Sequence, residues 1–98
     1  MRLNLIRVLL ADDHSVLRKG LKILLDREED IEVVGEAANG NEACRLAQVL
    51  QPDILVLDLS MPELNGFECA KKLKRDLPDM RIVILIILNN GELWATFG

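Results

Sequence analysis

The chain has 98 residues, half of them hydrophobic, with 16 acidic and 12 basic side chains and a net charge of −4. That length holds one compact domain with a modest core. A mildly acidic chain with one short basic run, Lys71, Lys72, Lys74 and Arg75, lacks the cationic stripe that nucleic-acid binding draws on; the run reads as a solvated helix face.

Cys44 and Cys69 stand outside any CxxC or Cys/His spacing, which argues for reduced thiols over a disulfide scaffold or a zinc site. The opening MRLNLIRVLLA imitates a signal peptide, but Arg7 interrupts it and Asp12 and Asp13 stand where a small-residue cleavage site belongs. The longest apolar run, Ile82–Leu88, has a strand's length rather than a membrane span's. A cytoplasmic chain is expected, with no direct contact to membrane or nucleic acid.

Ile6–Ala11 reads as a first strand that runs into Asp12 and Asp13. His14 to about Arg27 follows as a helix with Leu17, Leu21, Leu24 and Leu25 on one face. Ile31–Ala37 alternates only in part, as a strand near a sheet edge does. Asn39-Gly40 marks a turn, Asn41 is the expected N-cap of a second helix, and Ala43, Leu46, Ala47 and Leu50 form its apolar stripe. Pro52 ends that helix, because the residue before proline avoids helical backbone.

Ile54–Leu57 is a continuous apolar strand closed by Asp58, and SMPELNG leads to a third helix from Gly66 to about Arg75 with Phe67, Ala70 and Leu73 inward. Pro62 in that loop reads as turn chemistry. Pro78 stops the helix, and Arg81 opens a fourth strand. Strands alternating with helices imply right-handed βαβ units and a parallel, doubly wound α/β sheet covered on both faces.

In such sheets ligands bind beyond the carboxyl ends of the strands, where Asp12, Asp13 and Asp58 stand. If the first and third strands are neighbours, as in the flavodoxin-like order 2-1-3-4, three carboxylates converge. Two unit charges about 5 Å apart repel by roughly 3 kcal/mol at an effective dielectric near 20. The carboxylates then either take up protons more readily or recruit a cation, magnesium being the first choice for oxygen ligands. A free Asp oxygen beside the ion suits phosphoryl chemistry. His14 reads as a surface residue at the helix start.

IRVLLADDHSVLRKGLKILL, VVGEAANGNEA and PDILVLDLSMPELNGFE resemble the receiver domain of two-component response regulators, over residues 5–88 without a gap. The resemblance is to the subfamily with a C-terminal helix-turn-helix output domain. It implies that Asp58 is the phosphoacceptor, taking phosphate from a sensor histidine kinase without the chain being an enzyme in its own right. It also implies magnesium (Mg2+) held by Asp13, Asp58 and the backbone carbonyl of Ser60, with Asp12 acting through water. A magnesium-dependent phosphatase fits less well, since Ser60 stands where such enzymes place the second acid of D-x-D.

Two departures accompany the match. Ile86 stands where receivers carry a Thr or Ser at the end of the fourth strand, and the receiver's lysine-bearing fifth strand and last helix have no counterpart. Residues 1–88 are therefore expected to form a truncated receiver of order 2-1-3-4, and residues 89–98 a tail outside the family, either a short helix or a hairpin strand after Asn90-Gly91. Phosphate acceptance with impaired switching is expected. The alternative is a signalling-incompetent remnant acting by dimerisation or by titrating a kinase. An uncovered fourth strand predicts a homodimer or larger assembly.

Overall fold

The computed structural model describes residues 4–59, 61, 66–87 and 92–97. In chain order these form β1 (Ile6–Ala11), α1 (Ser15–Asp26), β2 (Ile31–Ala37), α2 (Gly40–Leu50), β3 (Ile54–Asp58), α3 (Gly66–Asp76), β4 (Arg81–Ile87) and β5 (Leu93–Phe97). The strands make one sheet in the order β2-β1-β3-β4-β5. β1 to β4 pair in parallel, the flavodoxin-like arrangement expected from the alternation of elements.

The sheet does not stop at β4. Of the two forms expected for the tail, a short helix or a hairpin strand, residues 93–97 take the strand: β5 runs antiparallel to β4 with Ile86 opposite Trp94 and Ile84 opposite Thr96, so β4 is not the bare edge that an order ending at 4 implied. The physical reason is the one that made the bare edge costly: backbone N–H and C=O groups along β4 need partners, and the β-forming residues Trp94 and Thr96 supply them from within the chain. Asn90 and Gly91, the expected hairpin turn, lie outside the described residues.

One face of the sheet carries the main core. Leu9, Ala11, Leu55, Leu57 and Ile82 pack there with Ala43, Cys44 and Ala47 of α2 and with Cys69 and Leu73 of α3, all of them buried. Leu46, Leu50 and Ala70 close in from its rim, while the inward placement of Phe67 lies outside what is described. The alternate residues Val8, Leu10 and Leu85 are buried on the opposite face, where α1 lies across β1 and β2. That layer is thin. No residue of α1 is buried, and Leu24, expected on its inner face, is 57% exposed along with Ile23 and Val16.

The β1–β2 pairing shifts register between Val8 and Leu9, so that Val8 meets Val33 and Leu9 meets Gly35. A Cβ on Gly35 would stand 2.9 Å from Leu50 Cδ1 and 3.2 Å from Leu9 Cδ1. Glycine thus lets the α2 end settle on the bulged strand. At that end α2 stops on Gln51, whose φ of 47° is left-handed. The Arg7 guanidinium donates to the carbonyls of Leu50 and Gln51 at 2.8 and 3.1 Å, tying the helix end to β1.

The start of α2 corrects the expected cap. Asn39, not Asn41, is the N-cap: its Oδ1 accepts the Glu42 N–H at 2.8 Å, and Glu42 Oε1 accepts the Ala38 N–H at 3.1 Å. The sequence Asn-Gly-Asn-Glu offers both asparagines; the reciprocal reach of Glu42 selects the one three residues before it. Asn39→Ala is expected to lower stability by about 1 kcal/mol in chemical denaturation, with no change in the dependence on denaturant.

Candidate carboxylate site

Register builds the site. β1 and β3 pair with Ala11 opposite Leu57, so Asp12, just past the end of β1, and Asp58, the last residue of β3 and paired with Leu85 of β4, stand side by side at the same level. Asp12 is 2% exposed and Asp58 0%. Main-chain bonds hold both ends: the Asp12 N–H donates to the Ala37 carbonyl at 3.0 Å, and the Leu59 N–H donates to the Leu85 carbonyl at 3.1 Å. Asp13 follows on the rim, its side chain 35% exposed.

His14, read from sequence as a surface residue, belongs to this group. Its ring is half exposed, yet Nδ1 lies 2.8 Å from Asp12 Oδ1, 3.1 Å from Asp13 Oδ1 and 3.2 Å from Asp58 Oδ2. The His14 N–H also donates to Asp12 Oδ1 at 2.7 Å. His14 holds the N-cap position of α1 without a side-chain capping bond, because its ring turns to the acids instead. Asp12, Asp13, His14 and Asp58 each present one donor atom within 4.8 Å of the others.

Arg18, one turn into α1, is the other residue the sequence reading passed over. Its guanidinium donates to the Asp12 main-chain carbonyl and, through Nε at 3.1 Å, to Glu36 Oε1 on β2. It thereby fastens the acidic loop between α1 and β2. The signal in the sequence was weak, a single arginine on a helix already bearing Lys19 and Lys22.

Electrostatics follow from burial. Desolvation pushes the Asp12 pKa above the ordinary 3.8, and the neighbouring Asp58 charge adds to it against the lowering bonds from His14. The hydrogen bond to Asp12 raises His14 above 6.5, with the charges of Asp13 and Asp58 in support. Asp12 Oδ2 is buried without a hydrogen-bond partner, the state of an oxygen that a cation would satisfy. Three carboxylates of this kind fit a hard divalent ion such as magnesium. The backbone carbonyl of Ser60, expected as a further ligand, lies outside the described residues.

The thiols are remote from this chemistry. Cys44 and Cys69 are both free and buried in the core, and burial followed by the contact with Cys44 pushes the Cys69 thiol well up, leaving it an inert packing group. Lys71, Lys72 and Arg75 lie along an open hollow with Glu68 on α3. Among the described residues, no helix is long and apolar enough to cross a membrane.

Because the folded state holds the Asp12 proton more tightly than the unfolded chain, ionised Asp12 disfavours folding once pH rises through its raised pKa. In the presence of a chelator, Asp12→Asn is therefore expected to melt a few degrees above the parent at neutral pH, about 1 kcal/mol corresponding to roughly 4–8 °C in a domain of this size. The difference should shrink as pH falls toward 3.8, where the parent is protonated too. Calorimetric melting curves across that range provide the check.

The family profile described as "Response regulator receiver domain" matches residues 8–93. The Bacillus subtilis "Uncharacterized transcriptional regulatory protein YhcZ" is 44% identical over 86 residues, covering 88% of this chain and 40% of that protein. The Escherichia coli "Nitrate/nitrite response regulator protein NarL" is 46% identical over 85 residues, covering 87% and 39%. The crystal structure of the response regulator domain of Thermotoga maritima CheB superposes with a TM-score of 0.82 at 39% identity, over 87% of this chain and 63% of that one. The chain thus spans about 40% of the length of the curated relatives it matches.

Proposed function

The chain belongs to the response regulator receiver domains, and from that premise we propose that it is a cytoplasmic phosphoacceptor module. Asp58 takes a phosphoryl group from a sensor histidine kinase, with magnesium held by Asp12, Asp13 and Asp58. The supporting observation is the β1–β3 register, which sets a fully buried Asp58 beside Asp12 and its unpartnered Oδ2. In the reaction an Asp58 oxygen forms a bond to phosphorus as the donor's bond to phosphorus breaks. Magnesium supplies charge neutralisation on the phosphoryl oxygens. Asp12 and Asp13 hold that charge in place, and Arg18 fixes the loop that carries them.

Transmission of the modification is weak in this reading. Ile86 of β4 offers no hydroxyl, and β5 beside it, Leu-Trp-Ala-Thr-Phe, carries no lysine. Neither strand end thus provides the hydroxyl and ammonium that receivers use to meet a new charge of about −1.5 to −2. Incubation with an acyl-phosphate donor and magnesium is expected to add one phosphoryl group by intact mass, and Asp58→Asn to abolish it. Circular dichroism in the aromatic region should change little. No adduct on the parent overturns phosphate acceptance, and a large spectral change overturns the weak transmission.

A second reading, an interaction module that pairs with a second copy or titrates a kinase, is favoured by β5. This uncharged strand ends the sheet and leaves Leu93 47% and Trp94 58% exposed. Such an edge is a template for strand pairing between chains. In this reading the parent is a homodimer or larger assembly at micromolar concentration, and Trp94→Lys shifts it toward monomer. Light scattering that finds a folded monomeric parent rules out pairing with a second copy.

A further inference from the structure

β5 ends the sheet, so one side of its backbone faces no neighbouring strand among the described residues. Sheet edges usually avoid one another through charges, prolines or bulges. Leu93–Phe97 carries no charge and no proline, and its pairing with β4 runs without a register shift. The side chains of Leu93, Trp94, Ala95 and Thr96 are all exposed.

This edge is complementary to itself. Two copies related by a two-fold axis normal to the sheet bring their β5 strands together antiparallel. Backbone N–H and C=O groups point alternately inward and outward along a strand, so the ladder forms only when the axis passes beside a residue paired with its own copy. An axis at Ala95 overlaps the whole of Leu93–Phe97, whereas an axis at Trp94 or Thr96 overlaps only 93–95 or 95–97. With the axis at Ala95, Trp94 stands opposite the partner's Thr96, an aromatic against a β-branched side chain, which is a favourable cross-strand pair. The small Ala95 occupies the axis itself. The nearest charge, Glu92, falls at opposite ends of the strand pair in the two copies.

We propose that β5 is the interface of a two-fold dimer of this chain, pairing antiparallel about Ala95 and joining the two sheets into one. The proposal rests on the reading that the chain pairs with a second copy, and it fixes the register and symmetry of that pairing. It also ties the interface to the acids. Asp58 pairs with Leu85, and Leu85 with Ala95, so the candidate phosphoacceptor shares a row of the sheet with the axis. The two Asp58 residues are then five strand spacings apart, roughly 24 Å, and the sites open toward opposite ends of the joined sheet.

Cysteine cross-linking tests the register. Residues opposed at the axis have Cα atoms about 4.5–5.5 Å apart, within reach of a disulfide. The two copies of position 93 stand four residue rises apart, about 14 Å, which is beyond that reach. Under mild diamide oxidation Ala95→Cys is expected to run as a linked dimer on a non-reducing gel. Leu93→Cys and the parent, whose Cys44 and Cys69 are buried, should run as monomers. Ala95→Lys and Ala95→Glu each set like charges face to face and should be monomeric in light scattering with the parent's circular dichroism, while an equimolar mixture of the two recovers the dimer. A parent that is monomeric at micromolar concentration defeats both the pairing reading and this proposal. A parent that assembles while Ala95→Cys links no better than Leu93→Cys, while Ala95→Lys assembles unchanged, or while the mixture stays dissociated, leaves the pairing reading standing and overturns the Ala95 interface.

Discussion

Two buried carboxylates at the ends of adjacent parallel strands set the terms for the rest of this molecule. β1 and β3 can pair only in the register that buries their apolar runs, and that register delivers Asp12 and Asp58 to the same level. At separations below 5 Å their charges repel by about 3 kcal/mol at an effective dielectric near 20. That is a large share of a domain stability of roughly 5–15 kcal/mol. The surroundings hold the arrangement against that repulsion. Backbone bonds pin both strand ends, Arg18 grips the Asp12 carbonyl, and the His14 ring faces all three acids. A site strained in this way is ready to take a cation, since a positive charge relieves what the fold cannot.

The scaffold under the site is uneven. On one face α2 and α3 close a core that includes Leu9, Leu55, Leu57, Cys69 and Leu73. On the other, α1 covers β1 and β2 without burying any residue of its own. The acids therefore stand at the end of a sheet whose one side is tightly packed and whose other side rests on a single helix. That helix carries His14 at its cap and Arg18 one turn in, so its seating and the geometry of the acids are coupled through two side chains. β5 pairs with β4 but leaves the side chains of Leu93, Trp94, Ala95 and Thr96 in solvent. The edge problem is displaced by one strand rather than removed.

What the sequence by itself determined is the set of elements and the place of the acids. Apolar runs of strand length and apolar stripes at helical spacing are local properties, and β1 to β4 and the three helices fall where those patterns put them. Asp12, Asp13 and Asp58 were legible for a related reason: an ionised residue ending a buried run is improbable without a compensating role. The resemblance of DDH and DLSMPELNG to receivers then pointed to the family.

Tertiary structure decided whatever depends on a partner distant in the chain. His14 looks like a solvent residue until β3 sets Asp58 3.2 Å from its ring. Arg18 is one cation among several until β2 offers Glu36 and the loop offers a carbonyl. Local spacing could not choose between Asn39 and Asn41; the closing bond from Glu42 to the Ala38 N–H did. For residues 89–98 local signals left a short helix and a hairpin strand both open, because neither is decided without the edge it packs on. Only the unpaired backbone of β4 made antiparallel pairing the favourable solution. Periodicity reports what a segment buries, whereas the candidate site rests on which buried ends and exposed rings the sheet brings within 3 to 5 Å of one another.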